Sequence, residues 1–517
     1  MTRKAVAAAA PALPAALALS AALALSIVPA HAQTAPVLNI AVDYDPDILD
    51  PTIARTYISR IIFAGLCDKL FDIDENLRIV PQLALSHEYQ DPTTLVLRLR
   101  PGVVFHDGTP MDAAAVVYSL TRHLTFLGST RRSEISAMDR AEIIDPLTVR
   151  IILRTPSAPF VSQLTDRAGM IVSPRAAEAA GADFGLSPVC AGPFRFTERV
   201  AQDRVVLDRF AGYWDAGRIH FNRVVYRPIP DSGIRLANLQ AGAVSFAQGL
   251  SAPDAGLIKA DKRLKVMVYP GLGYGAITFN LANGPRSRTP FGQNPLVRKA
   301  FELSIDRDVL NQVVFNGVNP PTAQGMSPSN PLFNRNLLPP PRDIARAKAL
   351  LAQAGVRLPV PVTLTFIKNP DQLQIGEVMQ SMAAEAGFDV RVEASEFASA
   401  LAAETRGEFQ ATAIGWSGRV DPDGNLYNGL HSSGPLNASH YSSKDVDGWL
   451  DAARLTTDAA LRRDLYARIT SRVAEDMPVM YLYNTAMIMI MGMSARLQGF
   501  RPVADGLVRL QDLKLTE

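Results

Sequence analysis

A chain of 517 residues exceeds what one hydrophobic core usually organises, so its length predicts two or three domains. Hydrophobic residues make up 48% of the chain, yet no segment beyond its first thirty residues is apolar over the length that a bilayer-spanning helix needs. The formal net charge of +2 excludes the basic excess that attracts nucleic acid or anionic lipid, so no nucleic-acid partner is expected.

Residues 1–32 have the three parts of a secretory signal peptide. Arg3 and Lys4 precede an Ala/Leu-rich stretch without acidic residues, which ends in the small-x-small tripeptide "AHA". Three prolines interrupt the stretch, which argues against a retained membrane anchor. We expect cleavage after Ala32 and a mature protein that is free in an exported compartment. No cysteine follows the cleavage site, so a lipid anchor is not expected. Loss of Arg3 and Lys4 leaves equal numbers of basic and acidic residues.

The N-terminal half alternates strands with helices. "VLNIAVDY" predicts a strand, and the segment after it predicts a helix because Ile58, Ile61, Ile62 and Leu66 have helical spacing. Alternating apolar residues predict further strands in "TLVLRLRPGVVF", "LTVRIILR", "DRVVLDRF" and "FNRVVYRPI". The short turn "HDGTP", with His106 and Asp107, is interpreted as structural.

The C-terminal half begins with the helical segment "NPLVRKAFELSIDRDVLNQVVF", in which Asn294 is the expected N-cap and Pro295 the first helical residue. A proline-rich loop separates it from strands and helices in βαβαβ order, the pattern of a doubly wound α/β domain. The last of these strands, "ATAIGWSG", runs into a loop at residues 416–423. Ligands of such sheets bind at the carboxyl ends of the strands, so this loop is a candidate site. Further on, "MPVMYLYNTAMIMIMGM" predicts a buried strand.

The sequence gives little support for a catalytic site or a metal site. Asp421 and Asp423 are two residues apart in one loop, whereas paired catalytic carboxylates must face each other across a substrate. No Gly-x-Ser-x-Gly elbow occurs. The six histidines beyond the predicted signal peptide form no close helical pair. We therefore expect no catalytic residue, no metal ligand and no cofactor.

Five segments, in chain order, resemble one protein family. They are "LRLRPGVVFHDGTPMDAAAVVYSL", "PVCAGPFRF", "FAGYWDAG", "VRKAFELSIDRDVL" and "ARAKALLAQAG". Together they are similar to the peptide/nickel-type extracellular solute-binding proteins of ABC importers, a group that includes dipeptide-, oligopeptide- and glutathione-binding members. The resemblance runs from about residue 38 to the C-terminus.

The resemblance implies an α/β protein with the two-lobed periplasmic binding protein fold (type II, with an extra subdomain) and a hinge between the lobes. Lobe I would be discontinuous, formed by residues 33–73, 191–277 and 493–517. The extra subdomain would comprise residues 74–190, and lobe II residues 278–492.

The same resemblance makes Arg419 the most informative candidate residue. Members of the family that bind peptides carry an aspartate at this position, which receives the α-ammonium of the ligand. An arginine would repel that group, because a buried charge without a partner is costly. Arg419 is therefore expected to contact an anionic group of the ligand, to pair with Asp421 or Asp423, or to turn away.

The remaining candidate ligand contacts have separate grounds. Trp416 and Tyr57 are expected to form apolar walls, and Tyr274 lies near the segments that cross between the lobes. Lys368 lies near the position at which peptide binders keep an arginine for the ligand's carboxylate. Asp421 is also a candidate ligand contact, because it is a neighbour of Arg419 in the same loop.

Cys67 and Cys190 are the two cysteines of the chain. Export makes a disulfide between them possible, and two buried free thiols are the alternative.

The function implied is capture of a peptide, or of a peptide-like or organic anionic solute, by lobe closure, followed by delivery to an ABC permease. The protein is expected to be a monomer with a small-molecule or short-peptide ligand. A nickel-complex binder and an exported hydrolase or sensor on the same fold are the alternatives.

Overall fold

The structure, a computed structural model, describes residues 36–485 and 490–516. The predicted signal peptide and its cleavage site lie outside the described residues. Within the described ranges, no helix has the length and apolar character needed to cross a membrane. The architecture rests on three larger sheets and two two-stranded ribbons.

The first sheet has seven strands, and Val37–Val42 lies at its centre, parallel to both of its neighbours. Leu38 and Ile40 face one side of the sheet, where helix Tyr57–Leu66 packs, whereas Ala41 faces a second core on the other side. This alternation is the period of two expected of a strand that is covered on both faces. The strand order is Leu264–Val268, Ile490–Ser494, Phe246–Ala247, Val37–Val42, Arg223–Pro228, Arg204–Arg209, Phe194–Val200.

The second sheet has five strands and contains the predicted βαβαβ unit. Val360–Ile367 runs parallel to Phe388–Ser395 and to Ala411–Ala413. Helices Pro370–Ala384 and Phe397–Arg406 connect these strands, as the sequence predicts. Tyr274–Phe279 and Val479–Asn484 complete the sheet in antiparallel orientation.

The third sheet has four antiparallel strands and one helix that packs on it. Hydrophobic residues of its inner face and of helix Ala113–Thr125 form a separate core. Most residues of its outermost strands are exposed, which is typical of an antiparallel sheet with one solvated face. The strand order is Ala84–Asp91, Thr94–Leu99, Thr148–Leu153, Met138–Asp145.

Most of the helices begin at a side-chain cap. Asn294 accepts a hydrogen bond from the backbone N–H of Leu296, and Pro295 is the first helical residue, so the predicted start of that helix is confirmed. The α-helices not yet given are Phe160–Gln163, Pro174–Ala180, Ser232–Gln240, Ala252–Ala260, Pro290–Gln293, Pro295–Ser304, Arg307–Phe315, Ile344–Gln353, Asp423–Leu430, Lys444–Leu455 and Ala459–Asp476.

The apolar segment near the C-terminus is not one strand. Val479–Asn484 belongs to the five-stranded sheet, and Ile490–Ser494 belongs to the seven-stranded sheet. The chain passes between the same two sheets once before, between Val268 and Tyr274. Two connections therefore join the sheets, as expected for lobes linked by crossing segments. The exact domain boundaries stay a prediction.

The C-terminal segment "LVRLQDLKL" is a strand only at Lys514–Leu515, which pairs with Leu497–Gln498. Leu507, Val508 and Leu510 are buried without a partner strand.

Cys67 and Cys190 form a disulfide, so the alternative of two free thiols is wrong. Their Cα atoms are 4.9 Å apart, which is within the range that a disulfide requires. Cys67 directly follows helix Tyr57–Leu66, and the bridge ties the end of that helix to the segment before Phe194–Val200.

Candidate functional site

A cavity of about 800 Å³ lies at the carboxyl ends of several strands. Asp43 and Tyr44 follow Val37–Val42, and Lys368 follows Val360–Ile367. Trp416 follows Ala411–Ala413 and lines the cavity from the same side as Lys368. Parallel strands bring their carboxyl ends to one edge, so both sheets contribute loops to one site. The volume is in the range of small-molecule and cofactor pockets.

Five of the six predicted ligand contacts line this cavity: Trp416, Arg419, Tyr57, Tyr274 and Lys368. The Lys368 side chain is 68% exposed, and its Nζ is 3.9 Å from a carboxylate oxygen of Glu396, so it is the loosest of the five. The sixth, Asp421, is not among the cavity-lining residues of the described chain. Both of its carboxylate oxygens accept hydrogen bonds from Arg462, at 2.8 and 3.0 Å, which removes it from the candidate contacts.

The loop at 416–423 is fixed by backbone pairing and by one asparagine. Trp416 and Tyr274 exchange two backbone hydrogen bonds, of 2.9 and 3.0 Å. Asn425 accepts hydrogen bonds from the Trp416 indole N–H and the Arg419 backbone N–H and donates to the Arg419 carbonyl. Gly418 has φ +79°, and a Cβ there would lie 2.3 Å from the carbonyl of Leu272. Only glycine fits this position, so Gly418 fixes the backbone conformation at this point of the loop.

Arg419 pairs with neither of the aspartates in its own loop. Its Nε contacts a carboxylate oxygen of Asp166, and its guanidinium lies 4.8 Å from the centre of the Trp416 ring. Burial, together with the charge of Arg60, lowers the pKa of Arg419 to about 10. The alternative of pairing with Asp421 or Asp423 is therefore wrong, because other arginines occupy those two acids.

Asp423 is held by a separate ion pair. It accepts hydrogen bonds from Arg454, at 2.5 and 3.0 Å, and from Gln163, at 3.0 Å. Burial raises the pKa of Asp423, and the charge of Arg454 opposes that shift. Asp421 and Asp423 each have their own arginine, and the two acids anchor the loop to the helices behind it.

Four arginines gather behind and along one wall of the cavity. They share two carboxylates, those of Asp166 and Glu134, and all six side chains are buried. Burial works to raise the pKa of Asp166, but the charges of the arginines around it hold that pKa well below its usual range. We call this group the arginine cluster; its arginines are Arg60, Arg131, Arg167 and Arg419.

Apart from Arg419, the sequence analysis missed the arginine cluster. Asp166 and Arg167 are the two charged residues of the otherwise uncharged stretch "FVSQLTDRAGMIV", which is a signal that could have drawn attention. Arg60 lies within helix Tyr57–Leu66 and Arg131 follows a serine–threonine turn, and neither position differs from an ordinary surface arginine in sequence. Their convergence depends on the tertiary fold.

Acidic groups line other parts of the cavity. Burial raises the pKa values of Asp43 and Asp371, and the charge of Arg235 opposes both shifts. Burial also raises the pKa of Glu404 to about 7, against the charge of Arg55. The cavity thus combines a basic wall with separate acidic groups, an arrangement suited to a ligand that carries charges of both signs.

Aromatic rings supply the apolar surface between these charges. The ring of Tyr274 packs edge-on against Tyr481, at 5.0 Å between centres, and that of Tyr44 stacks on Phe397 at 4.5 Å. The hydroxyl of Tyr57 accepts a hydrogen bond from Gln248 at 3.0 Å. Rigid aromatic rings suit a site that binds by shape as well as charge.

Sequence and structure comparisons agree with the resemblance seen in the five motifs. Residues 78–437 match the bacterial extracellular solute-binding proteins, family 5 (middle). The chain is 31% identical over 492 residues to the glutathione-binding protein GsiB of Pectobacterium atrosepticum, covering 92% of this chain and 94% of that protein.

Solved structures of periplasmic binding proteins share the fold. The DppA protein of Helicobacter pylori, in complex with the peptide STSA, has a TM-score of 0.84 at 24% identity, covering 93% of this chain and 98% of DppA. The AgaA protein of Agrobacterium tumefaciens, in complex with agropinic acid, also has a TM-score of 0.84 at 24% identity, covering 93% and 99%. The two-lobed fold expected from the sequence is confirmed.

Proposed function

Because this chain belongs to the family 5 bacterial extracellular solute-binding proteins, the solute-binding components of ABC importers, we propose that it captures a peptide-like or organic anionic solute. The observation that carries the anionic part is the arginine cluster, in which four guanidinium groups share two carboxylates and three of the arginines, Arg131, Arg167 and Arg419, line the cavity. Buried positive charge is stabilised when an anion of the ligand joins it.

The nature of the similar proteins supports this ligand class. Glutathione, the ligand named for GsiB, is a peptide-like acid, and agropinic acid, the ligand named for AgaA, is an organic acid. Arg419 stands where a peptide binder would place an acid for the ligand's ammonium, so we propose that the plain α-ammonium clamp is absent at this position. Asp43 and Asp371 are then the candidates for a positively charged group of the ligand.

We further propose capture by closure of the two predicted lobes. Contacts between residues 33–277 and residues 278–492 support it. Arg60 donates a hydrogen bond of 2.9 Å to the hydroxyl of Ser417, and Asp166 holds Arg419 across the same boundary. A ligand that touches both sides stabilises the closed state through its differential contacts.

Catalysis is not part of this proposal. Asp421 and Asp423 are each occupied by an arginine and belong to the scaffold of the loop. Binding without turnover separates a capture protein from the alternative of an exported hydrolase or sensor. Ligand recovered chemically unchanged after incubation with the protein supports capture, and a released product contradicts it.

The export of the protein, its location and its partner are also part of the proposal. We propose that a signal peptide is cleaved after Ala32, that the mature protein is a periplasmic monomer without a lipid anchor, and that its partner is an ABC permease in the inner membrane. The mass of the protein from a periplasmic extract tests the cleavage: an intact residue 1–32 segment contradicts it.

The experiment for ligand binding starts from native mass spectrometry of the freshly purified protein, followed by calorimetry with glutathione on the ligand-free protein. Arg419→Ala is expected to weaken binding by about 1.5–3 kcal/mol, the value of a hydrogen bond to a charged group. Arg223→Ala is the matched control, because Arg223 forms a half-exposed pair with Asp208 on the seven-stranded sheet. Equal affinity of Arg419→Ala and wild type would contradict a role for Arg419 in reading the anion.

A further inference from the structure

Arg131 and Arg167 line the cavity although their residues are only 2% and 1% exposed. In each side chain the Nε atom is buried and has no hydrogen-bond partner among the described residues. A buried donor without a partner is unfavourable by about 1–3 kcal/mol, so native proteins rarely keep one. Both side chains line the same cavity, so a ligand there can reach the guanidinium groups that carry these donors.

The partners of Arg167 are too few for its charge. One of its terminal nitrogens donates a hydrogen bond of 2.7 Å to the carbonyl of Ala54. Its nearest carboxylate oxygen is that of Asp166, 3.9 Å from Nε, and the same oxygen is 3.1 Å from the Nε of Arg60. Burial and the charge of Arg131 lower the pKa of Arg167 well below its usual range, and the charge of Asp166 opposes that shift only in part.

Arg131 has more polar partners than Arg167, but it also contributes to the excess of positive charge in the arginine cluster. It pairs with Glu134 at 2.5 Å and donates a hydrogen bond of 2.8 Å to the hydroxyl of Thr130. With Glu134 assigned to Arg131 and Asp166 shared by Arg60, Arg167 and Arg419, the six buried groups keep two uncompensated positive charges. One monovalent anion at Arg419 would leave the second charge unmatched.

We propose that Arg131 and Arg167 form an anion subsite of their own beside Arg419, so that the ligand presents two carboxylates to this wall of the cavity. This inference rests on the proposed capture function and narrows its ligand class. Two carboxylates a few carbons apart occur in a free dicarboxylic acid and at the end of a peptide whose last residue is acidic. In both cases each carboxylate can accept two parallel N–H hydrogen bonds from one guanidinium group, because arginine presents its donors in a planar fork.

The test compares matched ligands by calorimetry on the ligand-free, full mature chain: glutarate, the dipeptide Ala-Glu, and the dipeptide Ala-Gln, which lacks only the second carboxylate. Wild type is expected to bind Ala-Glu at least tenfold more tightly than Ala-Gln. Arg167→Gln is expected to weaken the binding of Ala-Glu more than that of Ala-Gln and so to bring that ratio close to one. Glutarate binding that matches Ala-Glu identifies a free diacid as the source, and tighter Ala-Glu binding identifies a peptide.

Arg131→Gln provides a second variant should Arg167→Gln fail to fold, and Arg223→Gln is the control on the exposed pair with Asp208. The subsite is overturned if wild type binds Ala-Glu and Ala-Gln equally, if either cluster variant keeps the wild-type ratio, or if no diacid binds. In the last case, binding of Ala-Gln leaves the capture function standing, whereas binding of none of the three also counts against capture of this solute class.

Discussion

Replacement of Asp166 by asparagine perturbs the arginine cluster at its centre. The Asp166 carboxylate is 3.1 Å from the Nε of Arg60 and 3.9 Å from that of Arg167, and it contacts Arg419 directly. Asparagine has nearly the same shape and keeps an acceptor for one of these donors, so the substitution removes chiefly the negative charge.

The magnitude follows from these distances. A unit charge pair about 4 Å apart interacts by about 4 kcal/mol at an effective dielectric constant of 20. Asp166 has three such neighbours, but the arginines left behind relax and admit water. Breaking a buried ion pair typically destabilises a protein by about 3–5 kcal/mol, and we expect Asp166→Asn to lower the free energy of unfolding by that amount.

Chemical denaturation of the ligand-free protein at pH 7, followed by circular dichroism, measures this loss. Asp208→Asn is the matched control, because it removes a carboxylate from the exposed pair with Arg223 and should lower the free energy of unfolding by less than about 1 kcal/mol. Equal losses in the two variants would refute the reasoning, because the charge at Asp166 would then be screened as a surface charge is.

Two further predictions concern the disulfide and a buried acid. Replacing Cys67 and Cys190 by serine should lower the free energy of unfolding by about 5 kcal/mol, since the bridge spans 123 residues of sequence, and two reactive thiols in the denatured, unreduced wild type would contradict the bridge. Glu404 holds its proton up to about pH 7 in the folded state, so stability should fall as the pH rises from 4.5 to 7, where only the unfolded chain has lost that proton. In Glu404→Gln the difference in unfolding free energy between pH 5 and pH 8 should shrink by about 3 kcal/mol, and parallel pH curves for variant and wild type would contradict the shift.

The sequence predicted the location of the site because that location follows from local order. A βαβαβ pattern places the loop after "ATAIGWSG" at the carboxyl edge of a sheet, and Trp416 and Arg419 do line the cavity there. The partner of Arg419 could not be predicted in the same way. Asp166 contacts Arg419 from the segment between the four-stranded sheet and the disulfide, and no local sequence pattern indicates that contact.

The errors in the strand predictions have a related cause. Periodicity reports which residues are buried, not which sheet buries them. The run that includes Val479–Asn484 and Ile490–Ser494 is largely apolar because both strands are buried, although they belong to different sheets. Leu507, Val508 and Leu510 are likewise buried, but in a segment without a strand partner.

The late position of Ile490–Ser494 within the seven-stranded sheet has a consequence for biosynthesis. This strand lies between Phe246–Ala247 and Leu264–Val268 and supplies the hydrogen bonds that join them. Until Ile490–Ser494 has entered the sheet, Leu264–Val268 has no partner strand and Phe246–Ala247 has one unpaired edge. Unpaired edges recruit other chains, so a polypeptide interrupted before residue 490 carries an aggregation hazard that the finished protein conceals.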